Sequence, residues 1–137
     1  MLSQLVYYSI TNVIVSDKVI TEILESSRKN NAALEITGCL LYHNYIFLQL
    51  LEGEKENVNE LFETIKKDER HSNVTLIIEE NINERMYPNW SMAYHDFRAK
   101  KSAKDNFVKS IDFSSNNIPK KTEAIDLFWR MAKQIVV

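Results

Sequence analysis

The order of apolar runs and amphipathic stretches predicts an α+β fold. The expected architecture is a ferredoxin-like βαββαββ sheet with two helices on one face and two C-terminal helices packed on the other. Three observations carry it. Between Glu35 and Glu54, two short apolar runs, Cys39–Tyr42 and Tyr45–Leu51, flank His43-Asn44 and read as a β-hairpin, because Asn tolerates the left-handed conformation such a turn needs. A stretch with apolar residues at helical spacing lies on each side of that hairpin. Outside each helix lies another β-branched or aromatic run, and two crossovers around a hairpin favour an antiparallel-rich sheet with both helices on one side.

Taken in order, Gln4–Ser9 reads as the first strand, with Leu5, Tyr7 and Ser9 on one face and Val6 and Tyr8 on the other. Ser16 or Asp17 can cap a helix that runs to about Asn30. Its apolar face holds Ile20, Ile23 and Leu24, and helical steps put Ser27 and Asn31 on that same face. The core stripe therefore turns polar in its last turn, either because the helix end frays or because something polar lies there. The hairpin strands are almost continuously apolar, so both their faces need cover. A second helix begins at Glu54 or Glu56 and ends near Asp68, with Val58, Leu61, Phe62 and Ile65 in one stripe. Asn73–Glu80 reads as strand four, 81–89 as a loop containing Pro88, and Trp90–Tyr94 as strand five with Trp90, Met92 and Tyr94 on one face. Residues 103–111 can form a short helix, and 113–119 are turn-rich. Lys121–Val137 reads as a helix whose apolar side carries Ile125, Phe128, Trp129, Ala132 and Ile135/Val136, with Met131 widening the stripe. That stripe is wide enough that part of it is expected to meet a partner chain.

The bulk numbers exclude several classes. A chain of 137 residues, 45% hydrophobic and 26% charged, is the size of one soluble domain with a real core. A formal net charge of −2 gives no electrostatic case for a nucleic-acid partner. One cysteine, Cys39, leaves no intramolecular disulfide and fits a reducing cytoplasm. No apolar run approaches a membrane span, and no signal peptide is evident. With only Gly38 and Gly53, a Gly-rich phosphate loop cannot be built. The three histidines lack metal-ligand spacing with one another or with Cys39, so no metal site is expected. Most carboxylates read as solvated helix faces.

One anomaly remains inside the second hairpin strand. Alternation puts Gln49 on a face with Phe47 and Leu51, and an amide buried without partners costs about 1–3 kcal/mol. If strands one and three are central neighbours, Tyr7 and Gln49 become adjacent inward-facing polar groups, with Ser27 and Asn31 above them. Ile23 and Ile65 would wall a slot between the two helices, with Trp90 and Met92 near it. A flat heteroaromatic with carbonyl and ring-nitrogen edges would satisfy such a slot. A Tyr-Gln hydrogen bond within a plain core is the other reading, and the residues alone leave both open.

At this point the chain resembles the BLUF domains, blue-light sensors that use flavin. The likeness covers about Leu2–Phe97 and rests on several motifs in order: L-V-Y-Y-S with Tyr7, S-S-R-K-N-N-A-A-L-E-I-T-G with Asn30 and Asn31, F-L-Q-L-L-E-G with Gln49, D-E-R-H-S-N-V, and R-M-Y-P-N-W-S-M with Trp90 and Met92. Glu35 departs from the pattern, since many relatives have glycine there. The resemblance implies a sensor domain over 1–97, a helical extension over 98–137, and no enzymatic activity of its own. It implies a non-covalent flavin, usually FAD, with FMN or riboflavin as alternatives. The Tyr7 position donates an electron and a proton to the excited flavin, and Gln49 bridges that tyrosine to the ring. Asn31 would bind the pyrimidine edge, and Ile23 and Ile65 would flank the ring. Ser27, Asn30, Asp68, Arg70 and His71 are candidates for the ring edge, ribityl chain and phosphates. The signal would leave through Trp90 and Met92 to the C-terminal helices, and from there to an unidentified protein partner or to a homo-oligomer. Two other readings compete. An acylphosphatase-like hydrolase needs a glycine and an arginine after strand one, which 9–16 lacks. A light-insensitive interaction module on the same fold predicts a colourless protein.

Overall fold

The computed structural model describes residues 1–11, 16–43, 45–69, 72–88, 91–96 and 122–136. The elements are β1 (Leu2–Ile10), α1 (Asp17–Ala33), β2 (Thr37–His43), β3 (Ile46–Glu54), α2 (Lys55–Lys66), β4 (Ser72–Ile82), β5 (Ser91–Asp96) and α3 (Glu123–Val136). They form one five-stranded sheet in the order β4-β1-β3-β2-β5. β1 lies antiparallel between β3 and β4, β2 closes the hairpin on β3, and β5 runs parallel to β2 at the edge. The central β1–β3 pairing is as the residue pattern predicts. β1, β2 and β4 extend past the expected runs at both ends, and β3 and β5 at their C-terminal ends, because ladder hydrogen bonds continue past the last apolar residue.

Local chemistry explains the ends of the elements. Ser16 caps α1, its hydroxyl accepting from the Val19 amide. At the other end of α1, the Glu35 amide donates to Ala32 O and the Ile36 amide to Asn31 O at 2.8 Å. These two bonds make a Schellman closure, which puts Glu35 at φ 53°. Glycine favours that conformation, which accounts for the glycine that many relatives have there. In the hairpin, Tyr45 is the residue at positive φ, 70°; Asn44, expected to take that role, lies outside the described residues. Gly38 has φ 155°, and a Cβ there would sit 1.9 Å from the Leu50 carbonyl oxygen. Only glycine lets β2 approach β3 so closely.

The sheet separates two cores. Leu5, Tyr7, Leu40, Phe47 and Leu51 face α1 and α2, where Ile20, Ile23, Val58, Leu61 and Phe62 cover them. Val6, Cys39, Leu41, Leu48 and Leu50 face the other way, onto Ala124, Ile125, Phe128, Trp129 and Ala132 of α3. The apolar stripe of α3 is thus used within the chain: Phe128 and Trp129 are buried, and Met131 packs on the same cluster. Leu127 and Met131 are partly buried, and the side chains of Ile135 and Val136 lie outside the described residues. The short helix expected at 103–111 and the break at 113–119 lie outside the described residues.

Candidate functional site

Register brings the anomalous Gln49 face to face with a phenol. Tyr7 on β1 is paired with Gln49 on β3, and the Tyr7 hydroxyl donates to Gln49 Oε1. Both side chains are buried. The Phe62 ring of α2 lies 5.4 Å from the Tyr7 ring at 48°, which fixes the phenol over the sheet. Burial, and secondarily the Asp68 charge, push the Tyr7 phenol well above the ordinary tyrosine range. Tyr7 is therefore a neutral phenol with its proton committed to an amide oxygen.

Above this pair, between α1 and α2, opens a slot of about 610 Å³ counted with its mouth. Ile23, Ser27, Asn30 and Asn31 line it from α1, and Ile65 and Asp68 from the end of α2. The structure thus brings together eight of the residues singled out from the sequence, counting Tyr7 and Gln49. Arg70, His71 and Trp90 lie outside the described residues. Met92 belongs to β5, and its side chain also lies outside them. Pattern reading passed over Ser26, Leu40 and Thr64, which share the lining with Leu61 of the α2 stripe. Phe47, also in the lining, was legible as a residue on Gln49's face.

Asn31 is the informative member. It is 1% exposed, yet both its Oδ1 and its Nδ2 are buried without a hydrogen-bond partner. The polar last turn of α1 is therefore not a frayed end, because the Schellman closure holds the backbone of Asn31 itself. An amide that offers one donor and one acceptor to a slot matches a ring edge carrying a carbonyl beside an N–H. The pyrimidine edge of a flavin has that pattern. The residues present fit a flavin.

A second polar cluster, on the α3 side, was missed. Glu52 is fully buried on β3, contrary to the reading of the acidic residues as solvated. Gln4 is a second fully buried amide in an apolar strand. The signal was available: Glu52 shares the face of Leu48 and Leu50, and Gln4 that of Val6. Tyr87, in the same region, has its phenol pushed up to about 12, chiefly by burial. Among the described residues no group of acidic, histidine or cysteine side chains is placed to hold a metal. No described helix is long and apolar enough to cross a membrane.

Comparison with known proteins gives consistent results. The family described as BLUF, sensors of blue-light using FAD, matches residues 2–93. The beta subunit of photoactivated adenylate cyclase from Euglena longa is 37% identical over 92 residues, which cover 66% of this chain and 11% of that protein. The solved dark-state structure of BlrB, described as a BLUF protein, superposes with a TM-score of 0.72 at 28% identity, over 97% of this chain and 96% of that one. BlrP1 of Klebsiella pneumoniae, in a structure with FMN and cyclic diGMP, gives a TM-score of 0.75 at 26% identity, over 98% of this chain and 34% of that one.

Proposed function

The chain belongs to the BLUF family of flavin-using blue-light sensors, and from that premise we propose that it is a photoreceptor switched by its Tyr7–Gln49 pair. The observation that carries this reading is the slot itself. A phenol hydrogen-bonded to an amide lies at its inner end, and an unpartnered, buried amide, Asn31, lines it.

The roles follow from the chemistry of each group. Asn31 holds the pyrimidine edge, Ile23 and Ile65 flank the ring, and Ser27, Asn30 and Asp68 meet its edge and side chain. Arg70 and His71 are assigned to the ribityl chain and phosphates by the resemblance alone. FAD is the proposed flavin, with FMN as the alternative that the BlrP1 structure supports. A bound flavin supplies an excited ring that is a strong oxidant and accepts an electron under blue light. Tyr7 is the donor: its phenol is neutral and in place, and it can release its proton along the hydrogen bond it already makes. In the dark arrangement Gln49 accepts from Tyr7 through Oε1, so its amide N–H bonds serve other partners. Once Tyr7 has given up its electron and proton and taken them back, Gln49 settles with a different donor pattern, by rotation or tautomerisation. The lit state is thus a hydrogen-bond rearrangement with no chemical product.

Output runs through Met92 on β5, with Trp90 before it, toward the C-terminal helices and a downstream protein. The cyclase relative supports coupling of such a domain to an effector, since the matched part is 11% of its length. Self-association is proposed as a second form of output, through a surface other than the buried face of α3. The test is a visible spectrum of purified protein supplied with FAD, taken before and after blue light. A yellow protein with a reversible red shift is expected. A protein that stays colourless, or whose spectrum does not move, would favour the light-insensitive module.

A further inference from the structure

Gln49 is not the only polar residue the two central strands bury. Three residues along, on the opposite face of the sheet, Glu52 pairs with Gln4 across β1–β3 and with Thr37 across β2–β3. The Glu52 carboxylate gathers donors from three directions. Oε2 accepts from Gln4 Nε2 at 2.9 Å and from the Met86 amide at 3.1 Å. Oε1 accepts from the Tyr87 amide and from Thr37 Oγ1 at 3.4 Å. An ionised carboxylate only accepts, so it fixes the Gln4 amide with its NH₂ toward Glu52. The Gln4 carbonyl is thereby turned outward, where it accepts from Thr122 Oγ1 at 2.6 Å. That hydroxyl in turn accepts from the Ile125 amide at 3.1 Å and caps α3. The second arm passes through Tyr87, whose hydroxyl accepts from Trp129 Nε1 at 2.9 Å. Two directional hydrogen-bond chains therefore lead from one carboxylate on β3 to the cap and the second turn of α3. The same carboxylate holds the loop that leads into β5.

We propose that Glu52 is the positioning residue that couples the β1–β3 strand pair to the C-terminal helix, with Gln4 and Thr122 as the intermediates. The inference rests on the photoreceptor reading for what moves the strand pair. Its own content is the route: across the sheet, by a chain whose polarity Glu52 sets, in addition to the edge route through β5. A change in the hold of Gln49 on β3 reaches Glu52 through the one strand they share. Gln4 and Thr122 then redirect or release the cap of α3.

The experiment uses the full chain loaded with FAD and two readouts. The illuminated-minus-dark spectrum reports the switch, and amide hydrogen exchange over 123–133 reports the helix. Thr122→Val keeps the side chain's shape at a half-buried site and removes the hydroxyl; Glu52→Gln keeps shape and puts a donor against donors. In the wild type, light is expected to change exchange in the first turns of α3 by about tenfold, the worth of one capping bond. Both variants are expected to keep the red shift and lose that light-dependent change. A merely structural role would alter dark exchange but leave the light response intact. A Thr122→Val protein with a wild-type light response in α3 overturns the coupling, and it does so even if Glu52→Gln fails to fold. A wild-type red shift with equal exchange in dark and light also overturns it while leaving the photoreceptor reading standing. A wild type with no red shift overturns both, through the first reading.

Discussion

At the scale of single residues, the proposed switch makes predictions at three side chains of the slot. Tyr7→Phe keeps the ring against Phe62 and removes the hydroxyl that Gln49 accepts; Gln49→Leu keeps approximate size and removes the amide. Both variants are expected to stay yellow, because Asn31 and the apolar walls remain, and neither should show a reversible red shift. The double variant should look no worse than either single one, since the two groups act as a unit. The check is a difference spectrum of each; a normal red shift in Tyr7→Phe would pass the donor role to another residue. Asn31 makes a prediction of two opposite signs. Asn31→Leu removes an unpartnered buried amide, so the flavin-free protein should gain about 1–3 kcal/mol in denaturant unfolding, while flavin retention falls by a similar amount. A loss on both measurements would make Asn31 an ordinary structural residue. Gln49 and Asn31 were legible in the sequence because each breaks a local apolar pattern, and Tyr7 because the expected β1–β3 adjacency puts it beside Gln49. Glu52 breaks one as well, but it stands at the end of a strand beside Gly53 and Glu54, where a charge reads as exposed. Its partners Gln4, Met86 and Tyr87 are brought to it only by the fold.

At the scale of elements, the end of α1 decides where Asn31 stands. The Schellman closure needs a left-handed residue, and Glu35 supplies it at φ 53°, at a cost of about 1–2 kcal/mol for a residue with a Cβ. Glu35→Gly should therefore stabilise the protein by about 1 kcal/mol in chemical denaturation and leave the light response unchanged. A destabilised Glu35→Gly protein would show that the Glu35 side chain makes a compensating contact. Helix and strand positions were readable because period and caps are local properties. The path of β5 was not, since its parallel pairing with β2 depends on a long-range register that no local pattern encodes. The burial of Phe128 and Trp129 against the sheet escaped for a related reason. How much of an amphipathic face is covered depends on the width of the sheet opposite, and here strands β1 to β4 and the 83–88 loop supply the described cover.

At the scale of the molecule, the sheet is a partition with the Tyr7–Gln49 slot on one side and the C-terminal helix on the other. Each side buries a tyrosine with a raised pKa: Tyr7 and Tyr87, the latter at about 12. A phenol whose folded pKa lies above its unfolded value of roughly 10 leaves stability intact below that value. Stability is then lost as pH climbs from there through the folded pKa, because the unfolded chain releases the proton first. The denaturation midpoint should accordingly hold steady at neutral pH and fall between pH 10 and 12. Tyr87→Phe should flatten that fall; an equally steep decline in the variant would assign it to other groups.

Cys39 gives that partition a practical use. It is the chain's single cysteine, buried in the cluster beneath α3 beside Tyr87 and Trp129, and burial drives its thiol pKa well up. A thiol reagent can attack only the thiolate, so labelling has to wait for the helix to lift. The unmodified protein therefore contains its own stopwatch. The modification rate of one sulfur, followed by mass spectrometry in darkness and under blue light, counts openings of the C-terminal helix directly. If light loosens that helix, the clock should run faster when the lamp is on, and equal rates would mean that α3 stays seated throughout.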